Sequence, residues 1–528
     1  MNQKRKNTYD TLIFLNNFQV RLLLEAIIVG FFAGLVTVAY RLILQYAESY
    51  SKKLYLFISG SVVKILIWAI IAAVLAYIVG IMVKRNPMIS GSGIPQVEGE
   101  LSGYFEMDWL RTVLGKFIGG VISIGTGLSL GREGPSVQLG ACVGKGVSRV
   151  FKRIKVEEKL LMTSGASAGL AAAFNAPFAG TMFALEEVHK SFSPSVLLAA
   201  MSSAVVSDFV SKEVFGLKPV FTFGRVQAVP LQYYGLIILL GIILGLAGVF
   251  YNKILLLSQK LYANQKWLKP EFRMIIPFLC AVALGLTLPE VLGGGHSLIE
   301  SMIDVSYTLK MIVIILIVKF IFSMISFGSG APGGIFFPLL VIGALIGAIY
   351  VSILTNFLGF DPAYVNNFII FGMVGYFTAI VRAPITGIIL ILEMTGSFTH
   401  MLSLTIVSIT AYIVANLMNS EPVYESLLTS FLRKKNLVPK ELKRASIHKV
   451  LIEMPVCYGS KLEGKYVKDF NWSKESLIVA ITRGNKEITP KGDTVIKAGD
   501  YVLVLVPEDK ETESRQILYN LTKENLDI

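Results

Sequence analysis

Ten apolar stretches, near residues 21–40, 61–83, 113–130, 160–185, 231–250, 273–288, 311–327, 334–358, 367–392 and 402–418, fill most of the first 430 positions, with polar or basic connections between them. A helix needs about 20 apolar residues to cross a bilayer, and several of these stretches are shorter or are broken by Gly and Pro. Broken segments are tolerated at membrane depth only against protein or water. The pattern therefore predicts a helical bundle in which interrupted helices line a pathway. From about residue 431 the period changes. "LIVAITRGNKEITPKGDTVIKAGDYVLVLVPEDK" alternates β-rich runs with turn signals at Gly484-Asn485 and Gly499-Asp500, as in a small sheet domain. The predicted fold class is an all-α polytopic membrane protein with a small cytosolic α+β domain. Its parts are a cytosolic N-terminal segment (1–20), a transmembrane domain (21–430), a basic linker (431–445) and the terminal domain (446–528).

Composition supports the membrane reading: 528 residues, 54% hydrophobic, 16% charged, mean hydropathy +0.64 lie outside the range of soluble domains. The net charge of +13 is concentrated in short flanks such as "NQKRKN" and "RKKNLVPKELKR", which mark cytosolic ends and argue against a nucleic-acid partner. The segment Arg433 to Arg444 holds six basic residues and one acid, Glu441, and reads as a tether drawn to anionic lipid. A polar basic stretch ahead of the first apolar run predicts an uncleaved, cytosolic N-terminus. Cys142, Cys280 and Cys457 lie far apart without metal-ligand spacing, so packing roles are expected, with neither a disulfide nor a metal. "GLSLG" at 127–131 fits the G-x-S-x-G of serine hydrolases, but that motif needs a strand-turn-helix setting and a His-acid pair. His189, His296, His400 and His448 form no triad pattern, and an enzyme is not expected.

Internal repetition organises the membrane part. "GREGPSVQLGA" from Gly131 and "GIFFPLLVIGA" from Gly334 share G-x-x-x-P-x-x-x-x-G-A at an offset of 203 positions. "APFAGTMFALE" from Ala176 and "APITGIILILE" from Ala383 share A-P-x-x-G with a glutamate ten residues on, at an offset of 207. Two homologous halves follow, an organisation in which transporters place substrate where broken helices of both halves meet.

Gly and Pro also cluster in "SGSGIPQVEG" (90–99), "GREGP" (131–135) and "GAPGGIFFP" (330–338). Each is predicted to open a helix inside the membrane. A helix N-terminus presents free N–H groups and a positive dipole end. Proline in the first turn loses no bond, and the result is an anion site. Glycines serving close helix packing, as in "GFFAG" (Gly30, Gly34), explain most others. They do not explain Arg132 and Glu133, the only charges between Lys116 and Lys145. Burying such groups costs several kcal/mol.

These segments, with "FNAPFAG…EE" and the tyrosine of "EPVYESL", occur in the order found in the CLC chloride channels and proton-coupled chloride transporters, which the chain resembles over roughly residues 20–430. The resemblance implies the CLC fold, an inverted repeat of two halves, in a homodimer with one pathway per subunit. It implies an anion site formed by the hydroxyls of Ser92 and Tyr424 and the backbone N–H groups of Ile335 and Phe336, with Gly134 and Phe337 in the adjoining helix ends. Serine in "GSGIP" goes with chloride in this family. The resemblance makes Glu133 the gating glutamate, whose carboxylate competes with the anion for the same donors and leaves when protonated. It makes Glu187 the inner proton-transfer glutamate that separates exchangers from passive channels. Glu186 matches Glu393 of the second repeat and reads as structural. "GSGIPQ" stands where the family commonly has "GSGIPE", so Gln96 removes one carboxylate.

The terminal domain, through "GSKLEGKYVKDF", "IVAITRGNKEITP" and "IKAGDYVLVL", resembles the C-terminal module of regulators of potassium conductance (RCK C-terminal, TrkA-C-like). Such modules dimerise, and some bind cyclic di-AMP. That resemblance points to Ile478, Arg483, Ile488 and Pro490 as candidate nucleotide contacts; a domain that only stabilises the dimer is the alternative. Three functions stand in order: a chloride/proton antiporter of the cell membrane, multi-pass with its C-terminal domain in the cytoplasm; a passive chloride channel; and a nucleotide sensor with a vestigial pathway. Chloride, protons and the bilayer are the expected partners, with no cofactor.

Overall fold

The computed structural model describes residues 2–221, 223, 227–265, 269–304, 307–435, 449–469, 476–484, 486–507 and 511–523. It divides into two compact units, Met1–Ser430 and Phe431–Ile528. Most of the basic linker (436–445), residues 446–448 of the terminal domain and Asn485 of the first turn signal lie outside the described residues.

The first unit is a helical array. Helix α1 (Asn2–Ile58) runs without a break from the basic N-terminal segment into the first apolar stretch. It is followed by α2 (Val62–Arg85), the short α3 (Ile94–Leu101), α4 (Trp109–Gly125), α5 (Glu133–Val150) and α6 (Lys155–Phe174). Helix α7 (Pro177–Phe183) runs into a π-helical turn, Ala184–His189, and α8 (Pro194–Phe215) closes the first half. The second half repeats the order with α9 (Tyr234–Asn264), α10 (Ile275–Thr287), α11 (His296–Asp304), α12 (Leu309–Gly328), α13 (Phe336–Leu358), α14 (Val365–Val381), α15 (Pro384–Thr395) and α16 (Met401–Leu417). Helix α17 (Val423–Lys434) follows.

Among the described residues, eight helices are long and apolar enough to cross a membrane. The α2 window is only 22% buried whereas that ending in α14 is 83% buried, so α2 presents its apolar surface outward and α14 lies at the centre. Small residues let the central helices touch. A Cβ added at Gly140 would lie 2.0 Å from the carbonyl oxygen of Gly165, joining α5 to α6. The second half does the same with Gly343 and Gly372, joining α13 to α14 at 2.4 Å.

The second unit holds β1 (Lys449–Pro455), β2 (Leu477–Arg483), β3 (Lys486–Ile488) and β4 (Asp500–Pro507) in an antiparallel sheet of order β1-β4-β2-β3. Alternate apolar residues, Ile452, Ile481, Val502 and Val504, face one core with Leu518 of α18 (Glu511–Thr522), the period-2 pattern of a half-buried sheet. Gly484 and Gly499 stand at φ +56° and +82°, where the turns require the left-handed region that glycine adopts without strain.

Candidate functional site

The two halves meet through their repeated motifs. Gly131 and Gly334, the equivalent glycines, exchange reciprocal backbone hydrogen bonds of 2.7 Å. Around this bridge the leading turns are laced pairwise. Gly91 N–H donates to Gly330 O, and in the other half Gly293 N–H donates to Gly127 O. Each turn is held from below by a fully buried lysine. Lys116 of α4 donates to the carbonyls of Ile89 (3.0 Å) and Gly91 (2.5 Å), and Lys319 of α12 to those of Val291 (2.9 Å) and Gly293 (2.8 Å). A buried ammonium is tolerable only with such donors satisfied. Sequence reasoning missed both lysines, although each opens a "KFI" triplet, 203 positions apart.

The scaffold brings three helix ends together. Helices α3, α5 and α13 begin at Ile94, Glu133 and Phe336, each with Pro in the first turn and with no side-chain cap. Their first N–H groups are therefore left for another acceptor. Gly93 enters α3 at φ +94°. Gly134 lets Ser92 approach: a Cβ there would come within 2.3 Å of Ser92 Oγ. A Cβ on Gly131 would meet Glu133 Oε2 at 2.2 Å and the Phe337 nitrogen at 3.1 Å, so the Glu133 carboxylate lies beside the α13 N-terminus. Arg132 Nε stands 4.0 Å from Glu133 Oε1. Tyr424, at the start of α17, is adjacent to Ser92 and packs edge-on against Phe183, which contacts Phe336. Ser92 Oγ, Tyr424 OH and Glu133 Oε2 are all buried without a hydrogen-bond partner among the described residues. Ile335, Phe336 and Phe337 are buried at the same end of α13. Two buried hydroxyls, three uncapped helix ends and one carboxylate thus converge, an arrangement suited to an anion that alternates with the carboxylate.

The paired glutamates separate cleanly. Glu186 accepts hydrogen bonds from Thr386 N–H and Oγ1, both 2.8 Å, and Ile385 N–H, 3.3 Å, at the start of α15. Glu393 does the same for Ala179 (2.7 Å) and Phe178 (3.1 Å) at the start of α7. Each half caps a helix of the other, a carboxylate at a positive dipole end. Glu187 instead points inward from the π-helical turn and is buried, its Oε1 without a partner among the described residues. π-helical turns recur at functional positions. Gln96 donates to Ser90 O at 2.9 Å, a bond that a carboxylate at this position could not donate.

The candidates in the terminal domain have other surroundings. Ile478 belongs to the sheet core. Arg483 forms a fork with Asp500 (2.7 and 2.8 Å) and donates to Val495 O. Burial alone would raise the Asp500 carboxyl; the Arg483 guanidinium and the Lys497 N–H outweigh it and hold it below the usual carboxylate value. Ile488 and Pro490 are half-buried at the β3 edge.

Comparison with known proteins gives a consistent result. The family described as voltage gated chloride channel matches residues 75–416, and the TrkA-C domain matches residues 451–516. The chain is 36% identical over 432 residues to the H(+)/Cl(-) exchange transporter ClcA of Vibrio parahaemolyticus serotype O3:K6, covering 80% of this chain and 92% of that one. To the ClcA of Citrobacter koseri it is 33% identical, covering 79% and 89%. Among solved structures, a slow cyanobacterial Cl-/H+ antiporter superposes with a TM-score of 0.76 at 27% identity, over 79% of this chain and 99% of that one. A CLC-type fluoride/proton antiporter shares the fold, with a TM-score of 0.65 at 23% identity over 77% and 97%.

Proposed function

The chain belongs to the voltage-gated chloride channel family, and from that premise we propose that it is a chloride/proton antiporter of the cell membrane. The observation that carries the reading is the pair of buried carboxylates near the Ser92 and Tyr424 hydroxyls, Glu133 beside the α13 N-terminus and Glu187 on the π-helical turn, each with one oxygen that lacks a hydrogen-bond partner among the described residues. Chloride would be held by those hydroxyls and by the N–H groups of Ile335 and Phe336. Ionised, Glu133 occupies the same donors; protonated, it forfeits the charge-assisted bonds and gives way. Glu187 receives protons on the other side without touching the anion. Two titratable groups flanking one anion site make exchange possible, whereas a channel needs only the anion path. The test is a proteoliposome experiment that follows chloride and pH together. A chloride gradient that drives protons uphill is the expected result, and chloride flux with no pH response would favour a channel.

Two finer proposals accompany this reading. The protein acts as a homodimer: Phe178 and Ile385, side by side on the cross-capped helices α7 and α15, are exposed and apolar, and light scattering with the detergent subtracted tests the mass. The terminal domain takes a regulatory ligand, with cyclic di-AMP the one to try first. Ile488 and Pro490 would offer the apolar contact, and Arg483 only such guanidinium donors as Asp500 and Val495 leave free. Calorimetry with cyclic di-AMP tests this.

A further inference from the structure

Below Glu187 lies a charged cluster that the transport reading does not use. Lys190 ends the π-helical turn in the left-handed region, at φ +53°, a conformation uncommon for a residue with a Cβ. Its ammonium bridges two carboxylates from distant parts of the chain, Glu98 of α3 at 2.6 Å and Glu425 of α17 at 2.5 Å, and it faces Glu187 as well. Side-chain exposure rises from 7% at Glu98 through 36% at Lys190 to 49% at Glu425. The cluster therefore runs from the interior out to solvent.

The elements it joins are the significant part. Helix α3 follows directly on the turn that holds Ser92, and Tyr424 precedes Glu425 on α17. The two neighbouring hydroxyls are thus carried by the turn that leads into α3 and by the first turn of α17, the two helices that Lys190 ties together, and the tie is anchored on the turn that carries Glu187. We propose that Lys190 is a positioning residue: its bridges to Glu98 and Glu425 set the separation of the Ser92 and Tyr424 hydroxyls and link that opening to the Glu187 turn. Without the clamp, α17 is free to move from α3, chloride slips through without waiting for a proton, and coupling falls. The inference rests on the roles proposed above for Ser92, Tyr424 and Glu187.

The full-length protein in liposomes, with chloride and proton fluxes followed together, tests it. Lys190→Met breaks both bridges and leaves the cluster more negative; Glu425→Gln breaks the outer bridge and leaves it less negative. A clamp makes both variants behave alike: chloride turnover rises and protons moved per chloride fall, by roughly two- to five-fold, the range for a partly exposed ion pair. Lys190→Arg, which keeps both bridges, restores the ratio. Opposite shifts in the two variants would reduce the effect to local charge and overturn the clamp, as would an unchanged ratio and turnover in both. If Lys190→Met fails to run as a single species on gel filtration, Lys190→Gln, which makes the same change of charge, takes its place beside Glu425→Gln. Wild-type protein that moves chloride without protons would overturn the antiport reading instead, and chloride turnover alone would then report on the clamp.

Discussion

The two halves of the membrane unit share a scaffold but not a chemistry. Lys116 and Lys319 hold equivalent turns by their carbonyls, Gly131 and Gly334 pair with each other, and Glu186 and Glu393 cap each other's helices. At the same offsets, the residues with a proposed role in transport occur once. Glu133 has Phe336 as its counterpart and Glu187 has Met394, and Ser92, at the offset of 202 that relates the lysine-held Gly91 to Gly293, has Gly294. The repeat thus supplies two converging helix ends and the backbone that holds them. The first half adds the carboxylates and a hydroxyl, and the second has Phe, Met and Gly at the corresponding positions. Were both halves to carry carboxylates, like charges would face one another in a low-dielectric site, where neither ionises readily.

This division can be broken most forcefully at the helix contacts. Valine at Gly140 or at Gly343 drives a side chain into the facing backbone in either half, so both variants should lose at least about 1–3 kcal/mol. Each should be recovered poorly as a monodisperse species on gel filtration. Folding that tolerates one and not the other would mean that the halves are not mechanically equivalent.

Next in size are the caps. Glu186→Ala and Glu393→Ala each strand helix N–H groups, at a cost of about 1–3 kcal/mol, and should lower the thermal midpoint by similar amounts. A much smaller change in one would show that its cap is dispensable.

The anion preference is a finer probe. Ser92→Pro removes a hydroxyl from the site and should shift the nitrate-to-chloride flux ratio toward nitrate by about 1.5 kcal/mol, the lower end of the worth of one hydrogen bond to a charged partner. Tyr424→Phe also removes a hydroxyl but keeps the helix ends, so it should weaken chloride binding with a smaller shift in preference. An unchanged ratio in Ser92→Pro would move selectivity to the N–H groups of Ile335 and Phe336.

The smallest effect lies in the terminal domain. Because the folded-state carboxyl of Asp500 is held below its usual value, the Arg483 fork contributes stability that is full above that value and is lost as pH falls through the folded one. Hydrogen-exchange protection of the β4 amides in the full-length chain should therefore weaken as pH falls below the ordinary carboxylate range, and Asp500→Asn should flatten that dependence. Protection that stays equally pH-dependent in Asp500→Asn would assign it to other carboxylates.

Much of this organisation is legible along the chain, because it is written in local terms. Gly-Pro helix starts, apolar runs and the spacing of two motif pairs are short-range signals, and they locate the helix ends and the repeat. What escapes them depends on distant partners. The repeated glutamates read as structural, but that each caps the opposite half follows only from the fold. Lys116 and Lys319 resemble isolated charges in apolar helices until the carbonyls above them are seen, and nothing near Lys190 in sequence announces Glu98 or Glu425. Continuation of α1 back to Asn2 was hidden by the polar composition of its first turns, which helix propensity accommodates as readily as a loop. In the terminal domain, Arg483 looked available for a ligand because its partner, Asp500, is a neighbour only across the β2–β4 ladder.

The division between shared scaffold and single-sided chemistry is tested most directly by protons moved per chloride in Glu187→Gln and Glu393→Gln, measured side by side in liposomes. We expect Glu187→Gln to carry chloride with no proton movement, while Glu393→Gln keeps the wild-type ratio in whatever protein folds. Loss of the ratio in Glu393→Gln, or its survival in Glu187→Gln, would contradict the assignment of proton transfer to one half.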